Sequence, residues 1–212
     1  MHVDFWKQKW EKNEIGFHES KPNPLLVSNF EKLKLVEGQR IFLPLCGKTL
    51  DIAWLLSKGY RVVGVELSGL AIEQLFVDLG VEPVVTMLGN ISHYSAENID
   101  IFVGDIFELS SDVIGPVDAI YDRAALVALP EEMRNKYTKH LIAITGTARQ
   151  LLITFEYDQS LTDGPPFSLK SDEVTRHYKG VYSLECIESL PVSGGLKGKC
   201  AATEHVWLLK ND

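Results

Sequence analysis

The stretch IFLPLCGKTLDIAWLLSKGYRVVGVELSGLAI, residues 41–72, constrains the fold more than any other part of the chain. Ile41 to Leu45 is a short apolar run interrupted by Pro44, and Cys46-Gly47-Lys48 then turns the chain into a helical pattern. That pattern ends at Gly59, a residue suited to a left-handed helix terminus. Arg61 to Val65 follows as a Val-rich strand of the kind buried on both faces, with Glu66 at its carboxyl end. The reading is a βαβ unit with an acidic side chain delivered to one edge of a parallel sheet.

In open α/β sheets the ligand crevice lies beyond the carboxyl ends of the strands. The first turn lets backbone approach the ligand, and an acid about 20 positions later can hydrogen-bond a ribose. Gly47 and Glu66 fit that spacing. The turn Leu45-Cys46-Gly47-Lys48-Thr49 lacks the further glycines that would seat a pyrophosphate against the helix N-terminus. A ligand with a ribose and no phosphate fits better, and S-adenosylmethionine (SAM) is such a ligand. A lone glycine after a strand is commonly a plain turn residue, and an acid at a strand end is commonly a solvated terminus. The two together inside a strand-helix-strand pattern favour the cofactor.

With 212 residues the chain is expected to be one domain, residues 1–212, with an N-terminal helical arm to about residue 35. The expected fold is α/β, a doubly wound, mainly parallel sheet of about seven strands with helices on both faces. A net charge of −8 argues against nucleic acid or an anionic membrane as partner. Cys46, Cys186 and Cys200 are odd in number and show no CxxC or Cys/His spacing, so a disulfide framework, a zinc site and a secreted location are all disfavoured. With charged residues where a signal peptide needs an apolar core, the expectation is a cytoplasmic protein, and nothing demands more than a monomer.

Trp6 and Trp10 stand at i, i+4 in a short amphipathic pattern, so both indoles share one helix face; packing into the core is the plainer explanation of such a pair. Pro22 and Pro24 delay the next helix to about Leu25–Leu33. Ser68 is a plausible N-cap for a helix through Leu79, closed by Gly80. A short strand at Pro83 to Met87 is expected, and Leu88 to Asn98 reads as a loop or hairpin. Ile99 to Val103 is a clearer strand, followed by Asp105 and Ile106; an acid there can accept a hydrogen bond from an adenine amino group. Val117 to Tyr121 leads directly into Asp122-Arg123. A helix from Pro130 puts Met133, Tyr137, Leu141 and Ile144 on one face. After the strand Gln150 to Phe155, the loop through Gly164-Pro165-Pro166-Phe167 is stiff and aromatic-tipped, a candidate wall for an acceptor. Ser171 to Tyr178 reads as helix, Tyr182 to Leu190 and Ala201 to Leu209 as the last strands. Gly194, Gly195 and Gly198 point to a mobile connection between them.

Other chemistries find no support. The residue two before Ser68 is Glu66, not the glycine of a nucleophile elbow. The histidines show no i, i+3 or i, i+4 pairing for a helical metal site. Cys46 precedes a helix N-terminus but reads better as a small lining residue of the turn than as a nucleophile.

The segments WKQKW, IGFH, PLCGKTLDIAWLLSKGYRVVGVELS, FVGDIFEL, YDRAALVALPEEMRNKY and GPPF, in that order from Trp6 to Phe167, resemble the thiopurine S-methyltransferases, particularly the bacterial members. The resemblance implies SAM as cofactor, S-adenosylhomocysteine as product, and a small thiol, or a selenium or tellurium compound, as acceptor. It implies contact with SAM by Trp10, Leu45, Glu66 and Arg123, with Trp6, Phe17, Asp105 and Ile106 as further lining. Gly47 joins them from the turn argument. Arg123 either holds the SAM carboxylate or stabilises an acceptor thiolate; the alternative for it is a salt bridge with Asp122, Asp105 or another carboxylate. Some members use a late-loop arginine for the acceptor, where this chain offers Lys197 and Lys199. Two readings from other classes stand beside the enzyme: a noncatalytic SAM-binding module and a nicotinamide-dependent reductase, the latter disfavoured by the missing glycines.

Overall fold

The structure, a computed structural model, describes residues 3–16 and 18–211. A nine-stranded sheet forms its centre. The strands are β1 (Arg40–Leu43), β2 (Arg61–Glu66), β3 (Val84–Leu88), β4 (Ile91–Ala96), β5 (Ile99–Val103), β6 (Ala119–Arg123), β7 (Arg149–Tyr157), β8 (Ser183–Pro191) and β9 (Ala202–Lys210). Their spatial order is β3-β4-β5-β2-β1-β6-β7-β9-β8. The five strands from β5 to β7 are mutually parallel. The pairings outside them are antiparallel.

The α/β class and the helices on both faces stand as expected, and the count of seven strands is corrected to nine. The segment 88–98 adds β4, which pairs antiparallel with β5 and forms a hairpin with β3, itself on the short strand expected at Pro83 to Met87. Its signature is weak for a physical reason: every residue of β3 is exposed, and β4 is half-buried almost throughout, so neither shows a clean two-residue alternation.

The helices are α1 (Val3–Glu11), α2 (Pro24–Asn29), α3 (Leu50–Ser57), α4 (Gly69–Leu79), α5 (Ser111–Ile114), α6 (Glu131–Thr145) and α7 (Ser171–Tyr178). Alternation along the parallel strands sorts the core into two layers. Ile41, Leu43, Val62, Ile101, Tyr121 and Ile153 face α2, α3 and α4. Phe42, Val63, Val65, Phe102, Ile120 and Leu152 face α6 and α7, where Tyr137, Leu141 and Ile144 form the buried stripe of α6. Caps fix the helix starts. Asn23 accepts the amides of Leu25 and Leu26, Thr49 that of Asp51, and Ser68 that of Ala71. Gly80 and Gly146 close α4 and α6 in the left-handed conformation.

The connection 192–200 is more structured than its glycines imply. Leu196 and Cys200 form an isolated bridge and pack with Tyr157 and Ala202 in a small apolar cluster. Lys197 donates to the carbonyl of Pro165 at 2.6 Å, tying this loop to the proline loop. The aromatic tip of that loop turns inward: Phe167 packs against the α6 core layer, with the Arg134 guanidinium 5.5 Å from its ring centroid.

Candidate active site

The first strand ends at Leu43, two residues earlier than its apolar run, because Pro44 brings no donor to the ladder. Leu45 therefore lies in the turn, not in the strand, with φ of +47°. That left-handed conformation is unusual for a branched residue. Gly47 follows at φ +51°. Two hydrogen bonds hold the turn against β2: the Cys46 amide donates to the Val65 carbonyl at 2.9 Å, and the Gly47 amide donates to Glu66 Oε2 at 2.9 Å. Glu66 Oε1 accepts the Ser68 amide at 3.0 Å. Glu66 is 6% exposed; burial raises its carboxyl above the usual range, and the backbone donors oppose that rise.

Trp10 reaches this turn from α1. A Cβ at Gly47 would lie 2.9 Å from Trp10 Cζ2, so the indole rests where only glycine leaves room. Trp10 is buried, whereas Trp6 is half-buried and meets Phe5 edge to face. The pair thus divides: Trp10 packs onto the turn, and Trp6 stays nearer the surface of the arm. Phe17 lies outside the described residues.

Cys46 is buried, and its sulfur would lie 2.9 Å from a Cβ at Gly64. Burial, then the Glu66 charge, pushes its thiol well above the ordinary value. It is a protonated packing group, as the lining reading holds, and no nucleophile.

Beyond β5, Asp105 caps the short helical turn Ile106–Glu108 by accepting the Phe107 amide at 3.0 Å. Ile106 is buried, and its carbonyl is 2.8 Å from His140 Nε2. Arg123 is the last residue of β6. Strands β2 and β6 flank β1 on either side, so Glu66 and Arg123 stand roughly 10 Å apart across the crevice by ordinary strand spacing. The guanidinium of Arg123 forms an ion pair with Glu19, in the segment between α1 and α2. A carboxylate partner for Arg123 is thus present, and it is neither Asp122 nor Asp105. Asp122 faces the opposite layer, fully buried, accepting the Tyr137 hydroxyl at 2.7 Å and the Leu126 amide at 3.1 Å.

Three acids tied to the arm or to Arg123 have no local sequence signal: Glu19, Asp51 and Glu204. Asp51, 1% exposed, accepts the Asn23 amide at 2.7 Å and the Tyr121 hydroxyl at 3.1 Å, joining arm, α3 and β6. Glu204 of β9 is raised by burial and lowered by the charge of Arg123.

A model of the thiopurine S-methyltransferase family matches residues 1–211. The chain belongs to that family. A thiopurine S-methyltransferase of Xanthobacter autotrophicus is 55% identical over 211 residues, covering 99% of each chain. One from Teredinibacter turnerae is 54% identical over 212 residues, covering 100% of this chain and 99% of that one. Among solved structures, a SAM-dependent methyltransferase of Anabaena variabilis superposes with a TM-score of 0.67 at 15% identity, covering 99% of this chain and 95% of that one. A Burkholderia thailandensis N-methyltransferase, solved with S-adenosylhomocysteine, gives 0.66 at 16%, covering 99% and 87%. At those identities the structural likeness speaks for the fold.

As a member of the thiopurine S-methyltransferase family the chain is a SAM-dependent S-methyltransferase, and neither the reductase nor the noncatalytic module is favoured. The residues present fit the cofactor. Each Glu66 oxygen spends one bond on backbone and keeps acceptor capacity for a ribose hydroxyl. Gly47 leaves room for the Trp10 indole against the turn, and Arg123 offers a planar fork for a carboxylate. Among the described residues no group of His, Cys, Asp and Glu could hold a metal ion, and no helix is long and apolar enough to cross a membrane.

Proposed function

We propose that the acceptor is a small heteroaromatic thiol, of which a thiopurine is one, and that Trp10, Leu45, Gly47, Glu66 and Arg123 form the cofactor site, with Trp6, Phe17, Asp105 and Ile106 lining it. The observation that carries this reading is Glu66 pinned by the amides of Gly47 and Ser68, a ribose acceptor fixed in place before any ligand arrives. SAM supplies the methyl group as the electrophilic carbon of a sulfonium.

The chain's own part is to hold, align and dry the reactants. Glu66 orients the ribose. Arg123 holds the carboxylate, and Trp10 gives an aromatic face suited to a neighbouring cation. Alignment in line with the breaking bond and exclusion of water carry most of the acceleration, because the leaving group is a neutral thioether.

The acceptor end is bounded by the proline loop and the 192–200 connection. Lys197 stands there; partial desolvation lowers its amine, and Lys199 and Lys9 of α1 push the same way. A cationic rim of that kind favours a thiolate over a thiol, which suits acidic heteroaromatic thiols better than alkyl thiols. The relatives' names support this acceptor class.

The test is a product assay with methyl-labelled SAM and a panel of thiols spanning heteroaromatic, aryl and alkyl acidity, read by mass spectrometry. S-methylated heteroaromatic products dominating the panel are expected. Preferential methylation of alkyl thiols would overturn the acceptor assignment.

A further inference from the structure

Arg123 is only 13% exposed at its side chain and carries two carboxylates in its field, Glu19 and Glu204. The two differ in what they can do. Glu204 belongs to β9 and is half-buried, so its position is set by the sheet. Glu19 sits in the segment joining α1 to α2 and is 38% exposed at its side chain, so it can return to water at little cost. It is nonetheless the one that pairs directly with the Arg123 guanidinium.

Four residues on, the chain is anchored. Asn23 caps α2, its amide donates to buried Asp51 at 2.7 Å, and its side-chain amide reaches Glu19 Oε1 at 3.5 Å. Upstream, Trp10 lies over Gly47. Glu19 therefore stands between a fixed point at Asn23 and the indole that covers the turn.

We propose that Glu19 is a positioning residue that holds Arg123 in the place of the ligand's carboxylate and yields it when an α-amino-acid carboxylate arrives. Glu19 Oε1 takes the Nη2 donor of Arg123, and a bidentate carboxylate along the fork needs that same nitrogen, so the incoming group and Glu19 compete for it. The proposal rests on the reading that Arg123 takes the cofactor carboxylate.

Calorimetry with two ligands separates the possibilities. S-adenosylhomocysteine carries the carboxylate, and 5′-methylthioadenosine has the same nucleoside and thioether without it. Glu19→Gln removes the competing charge, so it should tighten S-adenosylhomocysteine by about two- to fivefold, the weight of a partly exposed ion pair, and leave methylthioadenosine unchanged. Arg123→Gln should weaken the first ligand and spare the second. In the double variant the Glu19→Gln gain should vanish, because the residue it competed for is gone.

Unchanged or weaker binding of S-adenosylhomocysteine to Glu19→Gln would overturn the proposal; weaker binding would make Glu19 a direct ligand of the cofactor's ammonium instead. If Arg123→Gln weakens neither ligand, or both equally, the underlying reading of Arg123 fails, and that result is distinct from a failure of Glu19 alone.

Discussion

Glu66 accepts the backbone amide of Gly47 at 2.9 Å, across nineteen positions of sequence. One side chain thereby fixes the turn after β1 and keeps lone pairs for a ligand. Glu66→Gln keeps the shape but replaces one carboxylate oxygen with an amide nitrogen that cannot accept. SAM affinity should fall by ~1.5–3 kcal/mol, the range for a hydrogen bond to a charged group. Titration calorimetry on the folded variant checks this, and an unchanged dissociation constant would remove Glu66 from the ribose.

Gly47→Ala tests whether Trp10 belongs to the site or only to the arm. The new Cβ would meet the indole at 2.9 Å on a backbone held at φ +51°, so the ring, the turn or both must shift. The arm should undock: tryptophan emission should move to longer wavelength, and proteolysis within the first twenty residues should speed up. SAM should restore protection less completely than in the wild type. Emission and cleavage identical to the wild type would mean that the indole does not depend on this turn.

Asp51 offers a stability prediction of a different kind. Both of its oxygens are used, by the Asn23 amide and the Tyr121 hydroxyl, in a place that is 1% exposed. Asp51→Ala strands two buried donors, each costing about 1–3 kcal/mol. A loss of roughly 2–6 kcal/mol by denaturant titration is expected. Tyr121→Phe, which removes one donor together with its need for an acceptor, should cost distinctly less. Equal losses in the two variants would contradict the account.

How much of this was legible beforehand depends on the range of the interactions. The βαβ unit could be read from residues 41–66 because its strands, its Gly59 stop and Glu66 are local signals. The stripe Tyr137, Leu141, Ile144 was legible for the same reason, since helical periodicity reports burial directly. The left-handed Leu45 was not: nothing in a leucine announces positive φ, and the tertiary bonds of Cys46 and Gly47 to β2 impose it. Asp51 looks like any acid in the first turn of a helix, where the dipole alone would account for it. That Arg123 pairs with a carboxylate was foreseeable in kind, but Glu19 is 104 positions away and the choice of partner is purely tertiary. The glycines of 192–200 misled in the opposite sense, because their backbone freedom is used to fold a packed loop around Cys200.

Asp122 links the site's framework to pH. It follows Tyr121 in β6 and points into the α6 layer, fully buried, where burial raises its carboxyl from 3.8 to about 6. The Tyr137 hydroxyl and the amides of Leu126 and Ala125 oppose that rise without cancelling it. The sign follows from proton counting. Between pH 3.8 and about 6 the native state holds this proton more often than the unfolded chain, so this group's contribution to stability falls as pH rises, and the loss is complete above the folded pKa. The full swing is about 3 kcal/mol at 1.36 kcal/mol per unit. Asp122→Asn cannot ionise, and its single oxygen can satisfy either Tyr137 or Leu126, so it will differ from the wild type by an offset that is independent of pH. The informative quantity is therefore the slope. Subtracting variant from wild-type unfolding free energy at intervals from pH 4 to pH 7 removes other titrations shared by the two proteins. The difference should move against the wild type by about 2–3 kcal/mol and level off above pH 6. Tyr137 does not titrate in this window, because burial and then the Asp122 charge hold its hydroxyl well above the ordinary phenol value. A flat difference across the range would mean that Asp122 stays ionised in the folded protein, with the hydrogen bonds outweighing burial.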